Sequence, residues 1–100
     1  MSDYILMVQL DIDKDHVEEF NKLYEEEHFP HLLDVTGVIS GQRYEIECDA
    51  DDQLRYLIIY ELESPDIPFG DEWKEASVAP AYMKVRKYII GRRRGVFKKI

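Results

Sequence analysis

The apolar positions of this chain switch repeatedly between a period of two and a period near 3.6, and the switches predict its elements. Residues 4–10 predict a strand with apolar groups on both faces: Tyr4, Leu6, Val8 and Leu10 on one, Ile5 and Met7 on the other. Val17, Phe20, Leu23 and Tyr24 then follow at helical spacing, so a helix buries one stripe. Asp13 or Asp15 is its expected cap, and Asp15 with Glu18 three residues on resembles a capping box. Gly37 releases a strand over about 38–47, where Tyr44 and Ile46 alternate with Arg43, Glu45 and Glu47 as in a half-exposed strand. A short acidic turn at 48–53 leads to a third strand at 54–63, whose centre Tyr56-Leu57-Ile58-Ile59-Tyr60 is apolar on both faces. Pro65, Pro68 and Gly70 mark 64–70 as a loop. Asp71 opens a second helical region, which Pro80 must divide because proline lacks the donor and clashes with the preceding turn. A last strand is expected over about 88–97, with Gly91 and Gly95 suggesting bulges or close backbone approach.

The predicted order, strand–helix–strand–strand–helix–strand, is the ferredoxin-like βαββαβ arrangement of the α+β class. Two helices cover one face of a four-stranded antiparallel sheet, yet the first and third strands are apolar on both. A second layer must cover the open face, and an identical subunit is its simplest source. The expectation is a homodimer through the open sheet face.

Length and composition narrow the class. One hundred residues make a single domain, 1–100. With 45% hydrophobic and 34% charged residues, the chain has the balance of a globular protein rather than a disordered one. Its one cysteine, Cys48, excludes an internal disulfide and fits a reducing cytoplasm. No apolar run approaches the roughly 20 residues that span a bilayer, and no secretory signal opens the chain, so a cytoplasmic location without membrane contact is expected.

The net charge of −8 is unevenly spread: all 21 acidic residues lie in 1–83 with five basic ones, while 84–100 holds eight basic residues and no acid. Such an acidic chain would repel a polyanion at long range, so no nucleic-acid partner is expected.

The most informative stretch is 24–38, Tyr-Glu-Glu-Glu-His-Phe-Pro-His-Leu-Leu-Asp-Val-Thr-Gly-Val. Glu25, Glu26 and Glu27 crowd what reads as a helix's last turn, where the dipole disfavours negative charge, and Pro30 interrupts the register. Such conflicts between local preference and fold concentrate at functional sites. His28 lies four residues beyond Tyr24, itself four beyond Phe20, so it points inward. An inward imidazole near carboxylates can move protons, with Glu25 or Glu27 orienting it. The competing reading is a structural histidine hydrogen-bonded to backbone at a helix end. His28 and His31 have a spacing that suits two metal ligands, but no third ligand stands at diagnostic spacing, so no metal is expected.

Tyr44, Tyr56, Tyr60, Trp73 and Tyr82 are candidates for a pocket around a flat ligand, with Tyr44 and Trp73 preferred because each flanks a loop or strand edge. The alternative for most is an aromatic core and dimer interface. Arg92, Arg93 and Arg94 alternate sides, so one face of the last strand shows two guanidiniums and the other one. An inward Arg93 would hold a carboxylate or enolate.

Four motifs, Glu-Glu-His-Phe-Pro at 26–30, Leu-Leu-Asp-Val-Thr-Gly-Val at 32–38, Gly-Gln-Arg-Tyr-Glu at 41–45 and Tyr-Glu-Leu-Glu at 60–63, together resemble those of small EthD-like proteins. With the element order, they make the chain similar to the dimeric α+β barrel superfamily. That superfamily also includes antibiotic-biosynthesis monooxygenases, muconolactone isomerases and several polyketide cyclases. Thr36 replaces the proline usual in the Leu-Leu-x-Val-Pro-Gly step. The resemblance implies two sheets packed face to face and, in each subunit, a pocket for a small aromatic or polyketide-like molecule. Many such proteins need no metal or organic cofactor, whereas others bind haem.

The resulting expectation is cofactor-free acid–base chemistry, with His28 as proton carrier, Glu25 or Glu27 as orienter and Tyr44 assisting. Tyr24, His31, Tyr44, Trp73 and Arg93 are the expected ligand-binding residues. A monooxygenase-type reaction on an electron-rich compound is the adjacent possibility. The alternative is a non-catalytic binding or stress-associated dimer with a structural His28.

Overall fold

The computed structural model describes residues 3–48 and 53–100. Strand β1 (Tyr4–Ile12) leads through a 3₁₀ turn at Lys14–His16 into helix α1 (Val17–Leu23). A π-helical turn, Tyr24–His28, continues α1 into α2 (Phe29–Leu33) without a break. Strands β2 (Val38–Glu45) and β3 (Tyr56–Leu62) follow, then a 3₁₀ turn (Ile67–Phe69), helices α3 (Asp71–Ser77) and α4 (Pro80–Val85), a 3₁₀ turn (Arg86–Tyr88) and β4 (Ile89–Lys98). The four strands form one antiparallel sheet in the order β2-β3-β1-β4. This is the ferredoxin-like α+β fold that the hydrophobic pattern predicts. The expected acidic turn lies mostly outside the described residues, with β2 and β3 ending short of it.

Alternation along β1 and β3 creates the core. Leu6, Val8 and Leu10 pair in register with Tyr60, Ile58 and Tyr56, and with Ile12 and Leu62 of the same parity they point at the helices and are buried. Phe20, Tyr24, Leu32, Trp73 and Val85 close over them from the helical layer. The opposite parity, Ile5, Met7, Leu57 and Ile59, is only partly buried, and Tyr44 and Phe97 on the same face are about half exposed, at 51% and 50%. The sheet therefore has one face covered by the helices and one partly apolar face that no layer covers among the described residues.

Local chemistry accounts for the places where pattern and structure part. The expected Asp15–Glu18 capping box does not form. Asp13 instead accepts a hydrogen bond from the Asp15 amide at 3.0 Å, which caps the 3₁₀ turn, and α1 starts behind His16 without a side-chain cap. The first helical segment does not stop at the glutamates. It runs through Pro30, which follows directly on the π turn, where the regular i→i−4 ladder is already interrupted. Pro80 divides α3 from α4 as expected, with Ala79 held extended at ψ 140°, the conformation a following proline favours. Gly37 has φ +92°, and a Cβ there would collide with Ile67, so only glycine fits the turn into β2. Register slips by a residue between Asp11, opposite Gly91, and Ile12, opposite Ile89.

Candidate functional site

A stripe of residues four apart builds the helical wall. Phe20, Tyr24, His28 and Leu32 are all buried. In a regular helix of 3.6 residues per turn, a period-four stripe would rotate by about 40° at each step. The π turn at Tyr24–His28, where the Phe29 amide reaches back to the Tyr24 carbonyl, takes up the extra residue and keeps the stripe on the sheet. It also turns Glu25, Glu26 and Glu27 out to solvent. Single π turns of this kind occur frequently at functional sites.

Behind this wall lies a cavity of about 220 Å³. Its floor is the helix-covered face of the sheet: Val8 and Leu10 of β1, Tyr60 of β3, and Arg92 and Arg94 of β4. Its roof is Tyr24, His28 and Leu32, then Trp73, Ser77 and Val78 around the end of α3, and Tyr82 and Arg86 from α4 and the turn after it.

His28 is 4% exposed and is the one buried ionisable or polar residue among the described residues, the tyrosine hydroxyls aside. Its ring stacks face to face on Tyr82, with centroids 3.5 Å apart and planes 9° from parallel, and meets the edge of Tyr24 at 4.8 Å. Nδ1 is buried and has no hydrogen-bond partner among the described residues. Burial, and secondarily the charge of His31, depresses its pKa to about 3, so the imidazole is neutral at physiological pH. The Tyr24 and Tyr60 hydroxyls meet at 3.1 Å. Burial pushes Tyr24 up to about 12 and Tyr60 well above its ordinary value, and Tyr82 shifts in the same direction for the same reason. These phenols therefore stay protonated and act as hydrogen-bond donors. Trp73 packs edge-on against Tyr60 at 5.3 Å.

The structure gathers five of the sequence-predicted residues around one cavity, His28, Tyr24 and Trp73 with the further pocket candidates Tyr60 and Tyr82, and places Glu25, Glu27, His31, Tyr44 and Arg93 elsewhere. Glu25 is exposed and hydrogen-bonds the Arg43 guanidinium at 2.6 Å, while the other Arg43 arm reaches Asn21 at 2.7 Å. Arg43 lies over the Tyr24 ring at 4.8 Å, so Glu25 supports the back of that ring through Arg43. Glu27 is exposed. His31 faces a separate surface depression with Asp34, Glu72 and Glu75, and so shares no site with His28. No group of three histidine, cysteine or acidic side chains is assembled among the described residues. Tyr44, paired with Leu57, is on the open face of the sheet rather than in the cavity.

Arg93 is on that open face too, opposite Gln9. Arg92 and Arg94, opposite Leu10 and Val8, are the arginines that enter the cavity. Alternation already places two guanidiniums on one face of β4. Which face is core was not legible, because Val96 and Phe97, of opposite parity, are both apolar. Pairing with the unambiguous strand β1 settles it.

No protein-family model and no curated protein matches the sequence. Solved structures match its fold along nearly the whole chain. An EthD-family protein from Bacillus halodurans superposes with a TM-score of 0.70 at 12% identity, over 97% of this chain and 99% of that one. An antibiotic-biosynthesis-monooxygenase-like protein from Bordetella bronchiseptica gives 0.73 at 12% identity, over 99% of both chains. A dimeric ferredoxin-like protein from an uncultured marine organism gives 0.64 at 12% identity, over all of this chain and 90% of that one. The chain thus shares the ferredoxin-like α+β fold of these structures, with a cavity between its sheet and helices.

Proposed function

We propose that the cavity binds a compact aromatic molecule and that His28 exchanges a proton with it, without metal or organic cofactor. One observation carries the reading: a buried imidazole whose Nδ1 has no partner lies in a wall of aromatic rings. Buried polar atoms are nearly always satisfied, and an orphan in a cavity is one that a bound molecule can satisfy. A pKa of about 3 makes His28 a weak base in the empty site. Negative charge developing on a ligand beside it stabilises the imidazolium and raises that pKa, so proton transfer is favoured only when the site is filled. The same deprotonation would prepare an electron-rich phenol for a monooxygenase-type reaction.

A second copy of the chain is the proposed cover for the open sheet face, where Ile5, Met7, Leu57, Ile59 and Phe97 form an apolar surface. Sedimentation or light scattering giving a monomer at micromolar concentration would remove that part.

The non-catalytic alternative also has an observation behind it, since the parallel stack of His28 on Tyr82 is a packing contact in its own right. Proton exchange separates the two. Incubated in D2O with a panel of aromatic ketones and 1,3-dicarbonyls, the wild type should accelerate deuterium incorporation at the acidic carbon, as read by proton NMR. His28→Gln should fold and lose that acceleration. Exchange that is absent in the wild type, or unchanged in His28→Gln, would leave His28 a structural residue.

A further inference from the structure

The cavity carries a charge that the proton-transfer reading does not use. Arg92 and Arg94 on its floor and Arg86 at its rim bring three guanidiniums to one opening. Its lining contains no Asp or Glu, although the chain has 21 acidic residues and a net charge of −8. Among the described residues none of the three arginines pairs with a carboxylate. Arg92 and Arg94 are two positions apart on one face of a strand, so their backbones stand about 7 Å apart. Long, planar forks rooted at that spacing can converge on a single small anion. Partial burial, and then the charge of Arg92, lowers the pKa of Arg94, in keeping with the two like charges lying near each other.

The remaining walls say what the anion is attached to. Trp73, Tyr82 and His28 offer ring faces and edges, and Val8, Leu10 and Leu32 are aliphatic. At about 220 Å³ the space falls below the roughly 300–1,000 Å³ of pockets for drug-sized ligands, so it takes one or two rings. Free phosphate would use the arginines and leave the aromatic wall idle. A neutral hydrocarbon would do the reverse.

We infer that the ligand is an aromatic carboxylic acid, held as its anion by Arg92 and Arg94 with its ring against Trp73, Tyr82 and His28. This rests on the ligand-binding reading of the cavity and adds the substrate class. Arg86, at the rim, draws the anion towards the opening and is not required for the final contact. All three arginines come from the acid-free segment after residue 83.

The test uses benzoate and benzamide, which share a shape and differ in charge, and inorganic phosphate as a third probe. Trp73 is the one tryptophan of the chain and lines the cavity, so its emission reports on the site, and calorimetry gives the affinities. Benzoate should bind about tenfold or more tightly than benzamide, the factor expected for a charge-assisted pair of hydrogen bonds, and its affinity should fall as salt rises. Phosphate should bind more weakly than benzoate. Arg92→Gln/Arg94→Gln should erase the preference for benzoate, whereas Arg93→Gln, on the other sheet face, should keep most of it. Equal binding of acid and amide overturns the inference and leaves an uncharged aromatic pocket. Phosphate matching benzoate overturns the aromatic part, and loss of preference in Arg93→Gln to the same degree shows diffuse charge instead of a site. No response to either aromatic probe overturns this inference and the ligand-binding reading together. Preferential benzoate binding without proton exchange on any carbon acid leaves the inference standing and removes the catalytic role of His28. Should the double variant fail to fold, the comparison of acid with amide in the wild type still decides.

Discussion

Acidification tests whether His28 is held neutral inside the helical wall. In the unfolded chain its pKa is the ordinary 6.5, and in the folded protein it is about 3. A histidine whose folded pKa is depressed takes up its proton more readily when unfolded. Its contribution is therefore absent well above 6.5, turns against the fold as pH drops through 6.5, and levels off near 3. At about pH 5, one and a half units below the unfolded value, the penalty is about 2 kcal/mol. For a domain of this size that is a loss of roughly 8–16 °C in Tm.

Carboxylates also titrate on the way down, so the assay compares two proteins. Urea unfolding of wild type and His28→Leu, followed by Trp73 emission at fixed protein concentration, is measured at about pH 7.5 and about pH 5. Leucine removes the titrating group and the unsatisfied Nδ1 but also the stack on Tyr82, so at the higher pH the two proteins should differ by about 1 kcal/mol or less in either direction. At the lower pH the variant should retain about 2 kcal/mol more of its stability than the wild type. Parallel loss in both proteins would refute the reasoning. It would mean that the imidazole protonates in the native state at little cost, and that the cavity is wet enough to solvate it.

Three further outcomes follow from the same geometry. Tyr60→Phe should cost about 1–3 kcal/mol by stranding the buried Tyr24 hydroxyl, while the double change with Tyr24→Phe should cost less than the two single changes summed, as a thermal-unfolding cycle would read. Glu25→Ala should cost under about 1 kcal/mol, since that carboxylate is 61% exposed, and should leave any proton exchange intact, which separates support of Arg43 from orientation of His28. Gly37→Ala should lose at least about 1–2 kcal/mol in chemical denaturation, because the backbone is left-handed there and Ile67 occupies the space.

The fold was legible because its signals are redundant. Alternate residues of β1 and β3 are buried under the helices, while of the intervening positions Gln9, Asp11 and Glu61 are polar and only Ile5, Met7, Leu57 and Ile59 are apolar, so a one-residue slip would bury charge. Two prolines and Gly37 punctuated the rest in ways fixed by covalent geometry. What misled was the helix around Glu25–His28. Three glutamates and a proline look like an ending, yet a π turn carries the backbone through them. Nothing in side-chain periodicity distinguishes a helix that ends from one that widens by a residue, because both put the same glutamates outward.

The site was legible only where it used that same periodicity. Tyr24 and His28 follow from spacing alone, since a stripe that continues Phe20 must face the sheet. Arg92 and Arg94 depend on which element packs on which, and strand parity near the chain end was ambiguous. Charge held the missing signal. A segment with eight basic residues and no acid looks like a surface for a polyanion when read along the chain. Folded onto an edge strand beside β1, it divides by parity, sending Arg93 to the open face and Arg92 and Arg94 to the helix side, where they line the cavity while staying exposed. Pairing thus turns a diffuse compositional bias into two guanidiniums aimed at one aromatic cavity. The neutral state of His28 then follows as well, because a buried imidazole walled by aromatic rings, with no carboxylate lining its cavity, loses hydration without gaining a counter-charge for its proton.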